Sequence, residues 1–186
     1  MGQDLPVTSY ALLGLLTFGD ELTGYELKQR ADNTLRFYWS SPAMSQVYSE
    51  LARLAQHGLV EPVSDDEDGG RPTTRYRITG EGRTELRSWM EDGPAGFPVL
   101  KHPVALRLLI GHVGDAAGSA RLLRDYLDDL ERQRKDLDDV RESLRGRDAA
   151  GQVFRYPALV ADWGLAYYDS EARIARDILG RLESDS

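Results

Sequence analysis

The chain has 186 residues, 41% of them hydrophobic and 29% charged, and a net charge of −8. Such proportions belong to a globular protein of one sizeable or two small domains. No apolar run approaches the ~18 residues needed to cross a bilayer, so no membrane partner is expected, and the N-terminus lacks the layout of a signal peptide. The absence of cysteine excludes disulfides, thiolate metal sites and cysteine nucleophiles and fits a reducing, cytoplasmic setting, while the acidic balance excludes indiscriminate nucleic-acid binding.

Residues 8–17 open on Thr8 and are apolar on nearly every side, which predicts a first helix buried on several faces and ended by Phe18-Gly19-Asp20. Thr23-Gly24-Tyr25-Glu26 has the form of a capping box, in which a hydroxyl and a carboxylate three residues on satisfy free amides reciprocally. The helix it starts carries Leu27, Ala31 and Leu35 and fades into Phe37-Tyr38-Trp39. Ser41 is expected to cap a third helix with Pro42 at its first position. Met44, Val47, Tyr48, Leu51 and Leu54 make the buried stripe of that helix, and Gly58 stands where a left-handed stop is wanted. Residues 59–63 and 75–79 read as strands, the second alternating Tyr76 and Ile78 against arginines.

Helix, helix, glycine stop and β-hairpin follow in the order of a winged helix-turn-helix. In that motif the second helix of the pair enters the major groove of double-stranded DNA through its N-terminal residues. Ser45, Gln46, Ser49 and Arg53, with Tyr48 counted among them although it falls on the stripe, are therefore candidate contacts. Glutamine suits an adenine edge, arginine a guanine or a phosphate, and serine either kind of site. On the returning side of the wing, Arg71, Thr73, Thr74 and Arg75 are candidates for phosphate or minor-groove contact. Residues 71–87 are locally basic in an otherwise acidic half, whereas Asp65-Asp66-Glu67-Asp68 at the wing tip would repel a duplex lying against it.

Glu81 to Glu91, with Leu86, Trp89 and Met90 on one side, reads as a linking helix, and the Gly/Pro run from Asp92 to Pro98 marks a boundary. A DNA-binding domain over 1–92 and a helical domain over 93–186 are expected. Residues 103–113 form a short, very apolar helix. In 119–146, Leu123, Leu130, Leu137 and Leu144 recur every seven residues with Tyr126 and Val140 at companion positions, and Gln133 interrupts the seam. Such a helix would run ~42 Å at about 1.5 Å per residue. It is either the core of an intramolecular hairpin or a homodimer arm, and its length beside a small module favours the arm. A last helix over 155–183 is expected to pack back along it after the Gly146–Gly151 break, through Leu159, Trp163, Tyr167, Ile174, Ile178 and Leu182. Ile174 and Ile178 join the candidate dimerisation residues. Phe154, Tyr156, Trp163 and Tyr167 are candidates for lining an effector pocket, although aromatics at helical spacing more often build core.

No catalytic constellation is present. His57, His102 and His112 have no metal-ligand spacing, phosphate-loop and nucleophile-elbow motifs are absent, and the pairs Asp128-Asp129 and Asp138-Asp139 read as a solvated helix face. Neither an enzyme, a metal nor a cofactor is expected.

Several motifs together resemble the PadR family of bacterial transcriptional regulators: Gly24-Tyr25-Glu26-Leu27, the run from Val47 to Val60, Gly70-Arg71-Pro72, Tyr76-Arg77-Ile78-Thr79 and Gly82-Arg83. Trp163-Gly164-Leu165-Ala166-Tyr167-Tyr168 is similar to the last helix of members with a long C-terminal domain of the virulence-regulator type. The resemblance implies a mainly α fold, a winged-helix dimer on an inverted-repeat operator, and most often a repressor released by a small molecule. Ser49 stands where the family usually has proline, and Ala43-Met44-Ser45 replaces its common Pro-Gly-Ser. The competing expectation is a coiled-coil interaction module whose winged helix binds protein, an idea prompted by the acidic first half.

Overall fold

In the computed structural model, which describes residues 5–19, 21–64, 74–92, 96, 98 and 101–184, helix α1 (Val7–Leu15) follows Pro6 as its N-cap. Thr8 does not cap it. The run is apolar enough that Tyr10, Leu12, Leu13 and Leu15 are all buried. A single 3-10 turn, Leu16–Phe18, then ends at Gly19, whose φ of 96° only glycine adopts without strain. A two-residue strand β1 (Leu22–Thr23) leads into α2 (Gly24–Thr34). The expected capping box is complete. The Glu26 amide donates to the Thr23 hydroxyl at 3.1 Å, and the Glu26 carboxylate accepts the Thr23 amide at 2.8 Å.

Helix α3 spans Met44–Gln56, and its N-cap is Ala43, with no side-chain capping bond. Ser41 was expected in that role. Its hydroxyl instead donates to the Asp32 carboxylate of α2 at 2.5 Å, a charge-assisted bond that outcompetes a neutral cap. Gly58 takes the left-handed stop at φ 70°. Strands β2 (Val60–Ser64) and β3 (Thr74–Ile78) pair antiparallel, and β1 adds on the far side of β3, giving the order β1-β3-β2. Pro62 is tolerated because β2 is an edge strand. Leu12, Leu13, Leu16, Leu27, Val47, Leu51, Leu54 and Ile78 form the core of this first unit, Met1–Gly96. Helix α4 (Gly80–Asp92) closes it, with Trp89 stacked on Tyr10 at 4.8 Å between ring centroids, while Met90 lies exposed rather than on the packed side. Arg71, Thr73 and the acidic run 65–68 lie outside the described residues.

In the second unit, Phe97–Ser186, the apolar stretch after 103 is helical only as α5 (Pro103–Leu109), followed by a 3-10 turn at Gly111–Val113. None of its residues is buried, and Leu106, Leu109, Ile110 and Val113 are exposed. Helices α6 (Ala116–Ser143) and α7 (Arg155–Ser184) form an antiparallel hairpin. Its register is marked by Arg124–Glu183, Arg134–Asp169 and Arg141–Asp162 ion pairs, which step along α6 as they step back along α7. Leu123, Leu130, Leu137 and Leu144 are all buried within the single chain. These side chains therefore pack as the intramolecular-hairpin alternative has them and leave little surface of their own for another subunit. Val140 is half-buried in the same hairpin, and Gln133, the supposed interruption of the seam, faces solvent.

The face of α7 that meets these leucines also differs from expectation. It consists of Ala158, Ala161 and Ala175, buried, with Leu165, Tyr168, Ala172 and Leu179 half-buried at the same alternating three- and four-residue spacing. The leucines of α6 thus meet a row of four alanines interleaved with Leu165, Tyr168 and Leu179. The stripe of large residues points away. Leu159, Trp163, Tyr167 and Ile174 are exposed, Trp163 at 75%, and only Ile178 and Leu182 are half-buried.

Candidate nucleic-acid interface

Helix α3 is strongly two-sided because the side chains that fill the core recur at Val47, Leu51 and Leu54. The opposite side of its first two turns presents Ser45, Gln46, Tyr48 and Ser49, all exposed. Ser45 and Gln46 project from the N-terminal turn, where backbone amides lack helical acceptors and negative charge is favoured. Ser49 donates to the Gln46 carbonyl at 2.9 Å, so its hydroxyl is turned back on the helix. Tyr48 is not on the core stripe. Half exposed, its ring lies over Gly24, where a Cβ would stand 2.5 Å from Cε1, so glycine at the start of α2 makes room for it.

The helix is held from behind by a buried pair. Ser9 of α1 donates to the Glu50 carboxylate, and Arg53 lies 3.7 Å from the other oxygen. Glu50 and Ser9 are both buried, so α3 is fixed against α1 by a polar contact that has no water to replace it. Glu50 falls at the helical spacing of the core stripe, three residues after Val47 and four before Leu54, but nothing in the sequence names Ser9 as its partner. Arg53 keeps a partly exposed side chain despite this contact.

On the wing, Thr74 is exposed at the start of β3, but Arg75 is folded onto the protein. Its guanidinium donates to the Glu21 carbonyl at 2.8 Å and to the Glu26 carboxylate at 3.1 Å. Bonding to the Thr23 amide, followed by the Thr23 hydroxyl and the Arg75 charge, holds the Glu26 carboxyl below its ordinary pKa against the opposing effect of burial. Arg77 pairs with Glu21 and Glu61 across the sheet face.

In the second unit, Tyr126 belongs to a polar cluster within the chain. Its hydroxyl donates to Glu171 at 3.0 Å and lies 3.2 Å from His102 Nε2, which itself sits 3.0 Å from the same carboxylate. Burial, then the Glu171 bond, pushes the phenol pKa upward. The His102 Nδ1 accepts the Ala105 amide, capping α5. The expected effector residues do not converge within the chain. Phe154 is half-buried beneath the Arg147 guanidinium, whereas Tyr156, Trp163 and Tyr167 are exposed. Among the described residues there is no cluster that could hold a metal ion, and no helix is long and apolar enough to cross a membrane.

A helix pair with a bare polar row at the start of its second member, followed by a β-hairpin, defines the first unit as a winged helix-turn-helix. Residues 12–88 match the transcriptional regulator PadR-like family, and residues 100–183 match the virulence activator alpha C-terminal family. The first unit thus carries a PadR-like transcriptional-regulator domain, and the second a domain of the virulence-activator alpha C-terminal type. The negative transcriptional regulator PadR of Bacillus subtilis is 33% identical over 84 residues, a stretch spanning 45% of this chain and 45% of that relative. The crystal structure of B. subtilis PadR with operator DNA superposes with a TM-score of 0.83 at 23% identity, covering 95% of this chain and 99% of that one. The same regulator with p-coumaric acid gives 0.76 at 23% identity, covering 96% and 99%. The Vibrio cholerae virulence activator AphA gives 0.72 at 20% identity, also covering 96% and 99%. At these identities the likeness to solved structures is one of fold.

Proposed function

We propose that the protein is a dimeric, sequence-specific binder of double-stranded DNA that represses transcription from an inverted-repeat operator and is released by a small-molecule effector. The observation that carries this reading is the exposed polar row of α3, Ser45, Gln46 and Ser49, on a helix whose other side is fixed in the core and held by Glu50. Gln46 is the base reader and the serines are phosphate or base contacts, with Tyr48, Arg53 and Thr74 flanking them. Arg71 and Thr73 remain candidates for phosphate or minor-groove contact. Because the chain is acidic overall, binding depends on this local surface rather than on a general positive field.

The second copy docks on the large apolar side chains turned away from the α6–α7 hairpin. Leu159, Trp163 and Ile174, with Leu106 and Leu109 of α5, supply that surface, and half-buried Ile178 lies at its edge. Tyr156, Trp163 and Tyr167 then border an effector site only where the partner covers them. A phenolic acid is the first effector to test, given the p-coumaric acid complex of the B. subtilis regulator.

A mobility-shift titration on DNA upstream of the protein's own gene tests the reading. Binding should weaken steeply with salt, with a log–log slope of about −0.9 for each phosphate neutralised. Absence of any shift at low salt would favour the protein-binding module instead.

A further inference from the structure

Arg75 occupies the middle strand of the sheet, opposite Thr23 of β1 on one side and Val63 of β2 on the other. From there its guanidinium reaches the start of α2. One nitrogen donates to the Glu21 carbonyl at 2.8 Å and to Glu26 Oε2 at 3.1 Å, and the second lies 3.5 Å from Glu26 Oε1. That same Oε2 accepts the Thr23 amide at 2.8 Å and so closes the capping box. A single carboxylate thereby joins the wing strand to the first turn of the helix that packs behind α3. An arginine reaching for phosphate would have to leave Glu26 behind, and the abandoned carboxylate would face the same phosphate and repel it.

We propose that Arg75 is a positioning residue: it pins β3 to the N-terminus of α2, setting the angle between the wing and the reading helix, and does not itself contact DNA. The inference rests on the DNA-binding reading for its consequence but on the fold alone for its geometry. The guanidinium is needed because its fork serves the carbonyl and the carboxylate together, which an ammonium on a flexible stem does not do equally well. Glu26 is the necessary partner. Arg77, two residues on, pairs with the Glu21 and Glu61 carboxylates and, among the described residues, makes no bond to Thr23 or Glu26 of the cap.

The test uses the full chain and a duplex chosen by the wild type from a random pool. Arg75→Ala, Arg75→Lys and Glu26→Gln should each weaken binding by about 5-fold, the scale of one partly exposed ion pair. The Ala–Gln double variant should lose no more than either alone. Glutamine keeps the capping box, so the Glu26 variant isolates the pair with Arg75. The slope of log affinity against log salt, from 50 to 200 mM, should stay unchanged in all of them. A phosphate contact would behave otherwise: Arg75→Ala would flatten the slope by about 0.9, Arg75→Lys would bind nearly as wild type, and Glu26→Gln would bind more tightly. Any of those three results overturns the proposal. Hydrogen exchange at the Leu22, Thr23 and Arg75 amides gives a readout independent of DNA. It should quicken in Arg75→Ala and Arg75→Lys, and unchanged exchange refutes the clamp even if no duplex binds the wild type.

Discussion

Replacing Leu137 by alanine separates a leucine seam spent inside one chain from one shared between two. Leu137 is completely buried in the α6–α7 hairpin, against a partner helix whose facing residues are mostly small. The substitution removes three buried carbons, which at about 0.8 kcal/mol each is roughly 2.4 kcal/mol of lost transfer free energy. The cavity adds to this, and measured leucine-to-alanine losses reach ~5 kcal/mol where surroundings cannot relax. The hairpin is only two helices thick, so partial collapse is expected, and the loss should settle near 3 kcal/mol. That corresponds to roughly a hundredfold in the local opening equilibrium. Hydrogen exchange read by mass spectrometry on peptides from 116–143 localises the effect, and sedimentation at several concentrations reports the oligomer. The expected result is accelerated exchange along α6 that does not depend on protein concentration. Unchanged α6 protection together with loss of the dimer would refute the reasoning and return the leucines to the subunit interface.

Trp163→Ala should do the opposite, leaving α6 exchange within about 0.5 kcal/mol of wild type while shifting sedimentation toward monomer, because its ring is exposed in the single chain. Gly82→Ala should destabilise the first unit by more than about 2 kcal/mol, since the added Cβ would stand 2.1 Å from the Leu59 carbonyl oxygen and backbone must move; thermal unfolding reads this. Glu26 is depressed below its ordinary pKa of 4.5, so its stabilisation is complete above that value and is lost as pH falls through the lower folded pKa. Protection of the Thr23 amide should therefore fall on acidification below about pH 4.5 in the wild type and show no such step in Glu26→Gln. Gln46→Ala should relax preference at one base pair, by about 1–3 kcal/mol of discrimination, in a competition assay against single-position operator variants.

The elements with strong local signals were legible before any coordinates. The capping box at Thr23–Glu26, the glycine stops at 19 and 58, and the alternation leading to Ile78 each carry their own chemistry, and each stands in the structure. What escaped were choices made between distant segments. Ser41 looked like a cap until Asp32, nine residues earlier, took its hydroxyl. Strand β1 is two residues long and exists because β3 offers it an edge, so no periodicity announces it. The sequence is least legible at α7. Ranking residues by size selected Leu159, Trp163, Tyr167 and Ile174, whereas complementarity to the leucines of α6 selected the alanine row. Binary patterning finds apolar faces but does not say which of two will be covered by the same chain. The site was partly legible in the same sense. The exposure of Ser45 and Gln46 followed from the α3 period, but the buried Ser9–Glu50 bond and the folding of Arg75 onto Glu26 needed three-dimensional neighbours.

The central claim, that α3 reads a duplex as half of a two-fold pair, is tested most directly by selecting bound fragments from random double-stranded DNA with the full-length protein. Two identical half-sites in inverted orientation, spaced about one helical turn or a multiple of it, are the predicted outcome. Recovery of a single unrepeated site would contradict the two-fold docking. Recovery of no enriched sequence, with binding no tighter than to bulk DNA, would contradict the reading role of Gln46 and α3 altogether.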